Sequence, residues 1–177
     1  DKQPPVQLQV RHIDKFVQRA ENEWPLKRTQ WTKFYLNLEA LTLDQTPGNS
    51  AKDISYDPVG DGIRFVSKPF DVDTEITGPL AAKIFAASES EDADLFLAFH
   101  LIDPDGKEIT FQGSNDPHTP IGLGWLRASH RKLDDQLSLP HRPYHTHDEI
   151  LPLTPGKAEE LDIEIWPTCI VVPKGYQ

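Results

Sequence analysis

Leu95-Phe96-Leu97-Ala98-Phe99-His100-Leu101-Ile102 is almost wholly apolar and runs straight into Asp103-Pro104-Asp105-Gly106. A short apolar run closed by turn residues reads as a strand. With so few polar positions it is expected to be central and buried on both faces. The turn has a mechanism, since Pro presets φ and Gly accepts positive φ. Residues 107–112 are then the hairpin partner. This unit, strand-turn-strand with no helical period, sets an all-β reading for the chain.

Working outward, the same texture repeats. Val6-Gln7-Leu8-Gln9-Val10 alternates apolar and polar behind Pro4 and Pro5, as a half-buried strand does. Residues 14–22 suit a short helical turn, ended by Trp24-Pro25 because the residue before proline avoids the α region. Strands are expected at 31–38, 63–66, 74–77 and 80–87, the last two split by Gly78-Pro79. Further strands are expected at 122–131, 161–166 and 169–172. Residues 44–62 are rich in Pro, Gly, Asn, Ser and Asp and read as one long loop. Strands at this spacing without long helices indicate an antiparallel β-sandwich.

Composition narrows the partners. The chain has 177 residues, with 18 Lys plus Arg against 28 Asp plus Glu, a net charge of −10. That background opposes phosphate backbones and anionic membrane surfaces, so neither nucleic acid nor membrane is an expected partner. A single cysteine, Cys169, excludes an internal disulfide framework and a multi-Cys zinc site. No apolar run reaches the ~18 residues of a membrane span. With no signal peptide and no disulfides visible, a cytoplasmic location is expected. The 16 prolines are well above the average of ~5% and fit many turns. Methionine is absent and residue 1 is Asp, so the sequence reads as a piece of something longer.

Each candidate chemistry has a plainer competitor. A nucleophile elbow needs G-x-S-x-G; Gly48-Asn49-Ser50 and Gly113-Ser114 both lack the second glycine. Ser129 and His130 are adjacent, and neighbours on a strand face opposite ways. No catalytic residue and no cofactor are therefore expected in this chain. His145-Thr146-His147-Asp148-Glu149, with Gly156 downstream, has a shortened cupin-like spacing, making His145, His147 and Glu149 candidate metal ligands. The competing reading is a solvated loop, because 140–155 holds four prolines. Glu89, Glu91, Asp92 and Asp94 form an acidic patch without EF-hand spacing, better suited to turning a loop. Trp24, Trp31, Trp125 and Trp166 could line a sugar groove or fill a core.

A larger pattern emerges from the order of several segments. Glu23-Trp24-Pro25-Leu26 and Tyr35-Leu36 come first, then 78–88 from Gly78-Pro79, then Glu91-Asp92-Ala93-Asp94 and Ile102-Asp103-Pro104-Asp105-Gly106. Gly124-Trp125-Leu126-Arg127-Ala128-Ser129-His130-Arg131 and Pro152-Leu153-Thr154-Pro155-Gly156 follow. This order resembles the C-terminal domain of the X-Pro dipeptidyl-peptidase, cocaine esterase and α-amino-acid ester hydrolase family, over about residues 20–177.

The resemblance implies a jelly-roll, galactose-binding-like sandwich, non-catalytic, that packs on an upstream α/β-hydrolase domain. It would border that domain's substrate pocket and share in homo-oligomer contacts, while the Ser-His-Asp triad lies in the hydrolase domain. Residues 1–43 would form the N-terminal lead-in and first strands, 44–62 the loop, and 63–177 the jelly-roll body. The family's further strand after Lys174-Gly175 is missing, so the body is expected to be truncated and to leave a strand edge open. Asp92, Asp94, Arg127 and Trp24 match the family's motif positions, with a structural bond network as their expected role. Ile63 and Phe65 match the pocket-facing stretch. The alternatives left open are a stand-alone carbohydrate-binding module and a cupin-like metal-binding protein.

Overall fold

Residues 3–48 and 51–177 are described by a computed structural model. Asp1, the residue behind the inference of a longer protein, lies outside the described residues, as do Asn49 and Ser50 of the 44–62 loop and of the failed elbow Gly48-Asn49-Ser50.

Among the described residues eleven strands follow in order: β1 (Val6–Arg11), β2 (Phe16–Glu21), β3 (Tyr35–Asn37), β4 (Thr42–Asp44), β5 (Val66–Ser67), β6 (Thr74–Ala86), β7 (Asp94–Phe99), β8 (Leu101–Ile102), β9 (Glu108–Ile109), β10 (Gly122–Arg127) and β11 (Glu159–Val172). A 3-10 turn, Ala128–His130, follows β10. The main sheet has six strands in the order β2-β1-β11-β10-β7, with β6 also paired to β11. Two small sheets, β3-β4-β5 and β8-β9, complete an all-β sandwich. Pairing is antiparallel except for β1 with β11 and β4 with β5.

The long strand β11 organises the molecule. β6 runs along it from Glu159↔Ala86 to Val172↔Thr74. Along its other side, β10 joins at Ile165 and β1 at Ile170. Leu161 and Ile163 are buried, and so are Thr168, Ile170 and Val172. Odd positions point inward before Trp166 and even positions after Pro167. Strict alternation would forbid this, because side chains repeat every two residues. The register explains it: Ile165 pairs with Leu80 but Thr168 with Gly78, so β11 has one extra residue there. That bulge returns Ile170 and Val172 to the inner face and gives Pro167 the position a strand can tolerate. Opposite it, Gly78 has φ 144°, a conformation that favours glycine.

Two apolar clusters fill the inner face. Leu126, Ala128, Leu153, Leu161 and Ile163 form one, with Ile84, Leu95 and Leu97 against them. Leu101, Ile121, Ile170 and Val172 form the other, covered by Phe99, Ile109, Phe111 and Tyr176. Each fully buried Leu, Ile or Val among them contributes roughly 1.5–3 kcal/mol by leaving water.

Several sequence expectations change. Residues 14–22 are not helical. Six cross-strand pairs, from Val6↔Glu21 to Arg11↔Phe16, take the backbone bonds of β2 into a hairpin with β1. The run 95–102 is not a central strand buried on both faces. β7 stands at one end of the main sheet's order and alternates, with Phe96 79% exposed. The chain then leaves that sheet at His100, whose Nδ1 is 2.6 Å from Glu108 Oε1, and β8 pairs with β9. The turn between them forms as read: the Gly106 N–H donates to the Asp103 carbonyl at 3.0 Å, and Gly106 has φ 81°. The strand expected at 31–38 shrinks to β3, that at 63–66 shifts to β5, and that at 122–131 ends at Arg127. The four segments 74–77, 80–87, 161–166 and 169–172 merge into two continuous strands.

Candidate functional site

The outer face of the main sheet carries the most concentrated chemistry. Cross-strand register places Trp125 opposite Phe96 and Arg127 opposite Asp94. Trp125 meets Trp166, carried by the β11 bulge, edge to face with ring centroids 4.8 Å apart. Close approach of β10 to β11 requires glycine at 124, where a Cβ would overlap the Glu164 carbonyl oxygen and lie 3.0 Å from Ile165 Cα.

At the end of β10 two carboxylates divide the work. Arg127 donates to Asp94 through Nε at 2.7 Å and Nη2 at 2.8 Å, a two-pronged pair. The hydrogen bonds from Arg127 hold the Asp94 carboxyl below its ordinary value, and those to Asp94 hold Arg127 above its own. Asp92 turns inward instead. Its carboxylate accepts the Ser129 N–H at 2.9 Å, the Ser129 hydroxyl at 2.6 Å and the Ala93 N–H at 2.9 Å. Burial alone would raise Asp92, but the Ser129 and Ala93 donors outweigh it and the net shift is downward. The Ser129 hydroxyl is thereby bound to a carboxylate rather than to a histidine.

Beside this end lie three imidazoles. His130 closes the 3-10 turn, and its Nδ1 is 3.0 Å from Nδ1 of His147. The His145 ring centroid is 6.1 Å from that of His147. The His145 Nε2 is buried without a hydrogen-bond partner. Burial, chiefly, holds the His145 pKa below its ordinary value. These rings line an open cleft of about 450 Å³ with Trp125, Arg127, Glu164 and Trp166. Its outer wall is clamped. The Thr146 N–H donates to the Lys132 carbonyl at 3.1 Å, and Lys132 Nζ reaches Asp148 and Glu149, each at 3.1 Å.

A second cleft, about 460 Å³, lies near the bulge and is bordered by Arg11, Trp24, Trp166 and Cys169. Arg11 is spent structurally. Its Nη2 donates to the Ile121 carbonyl at 2.8 Å and to Thr168 Oγ1, and its guanidinium lies 4.9 Å from the centre of the Phe111 ring.

The residues singled out from sequence therefore separate. Asp92, Asp94 and Arg127 come together. Trp24 stands apart in the second cleft. Ile63 and Phe65 are half-buried ahead of β5 and line neither cleft. His145 and His147 come together, but Glu149 turns to Lys132, and the third imidazole is His130. Sequence reading weighed His130 only as the neighbour of Ser129; the Leu133↔His145 bridge, which folds the second segment back beside the first, is what brings it to His147. Among the four tryptophans, Trp125 and Trp166 share one cleft, while Trp31 stacks on His141 at 4.2 Å. Among the described residues no three coordinating side chains converge on one point, and no helix is long and apolar enough to cross a membrane.

Known proteins resemble this chain along its length. It is similar to a CocE/NonD family hydrolase from Staphylococcus aureus, with TM-score 0.92 and 31% identity, over 98% of this chain and 32% of that one. An aminopeptidase from a Thaumarchaeota archaeon shares the fold, with TM-score 0.63 and 13% identity, over 90% of this chain and 30% of its own. The Mycobacterium bovis protein named "Putative serine esterase Mb1866c" is 28% identical over 120 residues, 65% of this chain and 17% of that protein. A Mycobacterium tuberculosis protein matches to the same extent. This chain thus spans less than a third of each relative. The family model described as the X-Pro dipeptidyl-peptidase C-terminal non-catalytic domain matches residues 1–177, and the chain belongs to that family.

Proposed function

We propose that this chain is the accessory β-sandwich of a serine hydrolase, of the dipeptidyl-peptidase or ester-hydrolase type, docked on an α/β-hydrolase domain of the same protein. The observation that carries this is the family match over 1–177 together with 31% identity to a hydrolase of which the chain spans only 32%. In this reading the sandwich is of the jelly-roll, galactose-binding-like type, with its body at 63–177, its lead-in at 1–43 and the loop at 44–62. It borders the substrate pocket through the stretch that holds Ile63 and Phe65, and its copies meet in a homo-oligomer. Asp92, Asp94, Arg127 and Trp24 serve structure. The bonds of Asp92 to Ser129 and of Arg127 to Asp94 support that assignment, because they tie these groups to one another and to the backbone after β10. A free thiol at Cys169 accords with a reducing, cytoplasmic setting.

The test is turnover of a p-nitrophenyl ester by the pure 177-residue chain and by the protein that contains it. The chain alone is expected to be inactive, and the longer protein active and blocked by a serine-directed reagent. Turnover by the chain alone, blocked by that reagent, would overturn the assignment.

A further inference from the structure

One long stretch of the chain has no core of its own. Leu26 is buried, but no described residue in 27–67 is. The stretch carries the small sheet β3-β4-β5 and, all the same, many large apolar side chains. Tyr35 and Leu36 are adjacent on β3 and both exposed. Neighbours on a strand face opposite ways, so neither face of the small sheet is covered there. Trp31 stacks on His141 and still stands in solvent, as do Phe34 and Tyr56. A sheet is stable when it buries a face against another layer, and the sandwich supplies no such layer at β3. The shape of the small sheet is nonetheless set locally. The Asn37 side chain donates to Asp44 at 3.1 Å and accepts the Glu39 and Ala40 N–H groups, each at 3.1 Å. The Val66 N–H donates to the Leu41 carbonyl at 3.0 Å.

Two observations identify what covers it. The first is the likeness to the Staphylococcus aureus hydrolase. A TM-score of 0.92 over 98% of this chain is out of reach if nearly a quarter of the chain is displaced. The stretch therefore keeps its course in a protein most of whose polypeptide lies outside this domain. The second is composition. Within 29–38 the only charged residue is Lys33, in a chain of net charge −10. Aromatic enrichment with depletion of charge is the make-up of an interface centre. The other exposed aromatic patch differs. On the outer face of the main sheet, Phe96, Trp125 and Trp166 stand among ion pairs, Lys83 with Glu160 and Asp162 and Arg127 with Asp94, as on a solvated surface.

We propose that Trp31, Phe34, Tyr35, Leu36 and Tyr56 form the surface by which this domain docks on the neighbouring domain of the same polypeptide, and that the aromatic outer face of the main sheet stays in solvent. The proposal rests on the hydrolase reading, in which that neighbour is the α/β-hydrolase domain.

The test is hydroxyl-radical footprinting of the longer protein that contains this chain, with oxidation read residue by residue in one molecule. In the domain itself Trp31 and Trp166 are nearly equally exposed, 54% and 58%, and so are Tyr56 and Tyr144, 54% and 48%. In the longer protein Trp31 should oxidise at least about fivefold more slowly than Trp166, and Tyr56 than Tyr144, because a docked surface excludes water. The difference should hold at every protein concentration. Equal rates within either pair overturn the proposal, and so does protection that disappears on dilution, the mark of a second copy as the occupant. Turnover of the p-nitrophenyl ester is measured on the same sample. Protection without turnover supports the docking surface and removes the hydrolase reading, whereas turnover without protection overturns the docking surface alone.

Discussion

Asp92 shows how much one side chain can carry. It is the acceptor for both the backbone and the hydroxyl of Ser129, which is only 3% exposed, and for the Ala93 N–H. Asp92→Ala leaves these donors without partners in a place water barely reaches. The expected loss is about 1–3 kcal/mol in chemical denaturation, with Asp92→Asn losing less because one acceptor oxygen remains. Gly124→Ala is expected to cost about 1–3 kcal/mol by the same measurement, because the new methyl must push β10 off the Glu164 carbonyl. Electrostatics is gentler. Arg19 donates to Glu75 at 2.7 and 2.6 Å and lowers the Glu75 carboxyl from 4.5 to about 2. The folded value is the depressed one, so this stabilisation is fully present above pH 4.5 and lost as pH falls towards 2. Glu75 is 34% exposed, so solvent screening limits it to about 1 kcal/mol or less. Comparing Glu75→Gln with the parent across pH 5 to 2 should show the stability difference closing.

At the scale of the element, the bulge in β11 decides which side chains are inside. Deleting Pro167 removes the extra residue, so Ile170 and Val172 fall into strict alternation with Leu161 and Ile163 and stay inside, and a cooperative unfolding transition is expected to persist in calorimetry; inserting one residue after Pro167 turns them outward and should abolish it. Pro167→Ala keeps the residue count and should preserve the transition. The bulge also shows what the sequence did and did not disclose. The parity switch between Leu161-Ile163 and Ile170-Val172 is written in the residues, but it reads as two strands until β6 supplies the register that joins them. The turn at 103–106 is local chemistry and was legible in full. Residues 14–22 were not, because their state depends on β1 as a partner rather than on their own period. The apolar run 95–102 announced a strand correctly. Its place at the end of the sheet order depends on where β10 docks, which no local pattern encodes. At the candidate site, Asp92, Asp94 and Arg127 were legible as a group through the family resemblance, and cross-strand register is what brings Arg127 opposite Asp94. The partnership of His130 with His147 depends on folding a loop back by 17 positions and was not.

At the scale of the molecule, the main sheet has no continuous path that avoids β11. β6 pairs with it alone, and β1 and β10 reach the sheet's centre only through it. In chain order it comes after every strand it joins. During synthesis, then, β1, β6 and β10 leave the ribosome with their central partner still unmade. Contacts between residues so distant in sequence close slowly, because chain entropy must be lost before they return anything. Until β11 arrives, the nascent chain presents unpaired strand edges, the condition under which chaperones are needed and aggregation competes. A chain stopped before Glu159 should therefore remain protease-sensitive however long it is left to fold, and adding residues 159–177 should confer resistance in a single step.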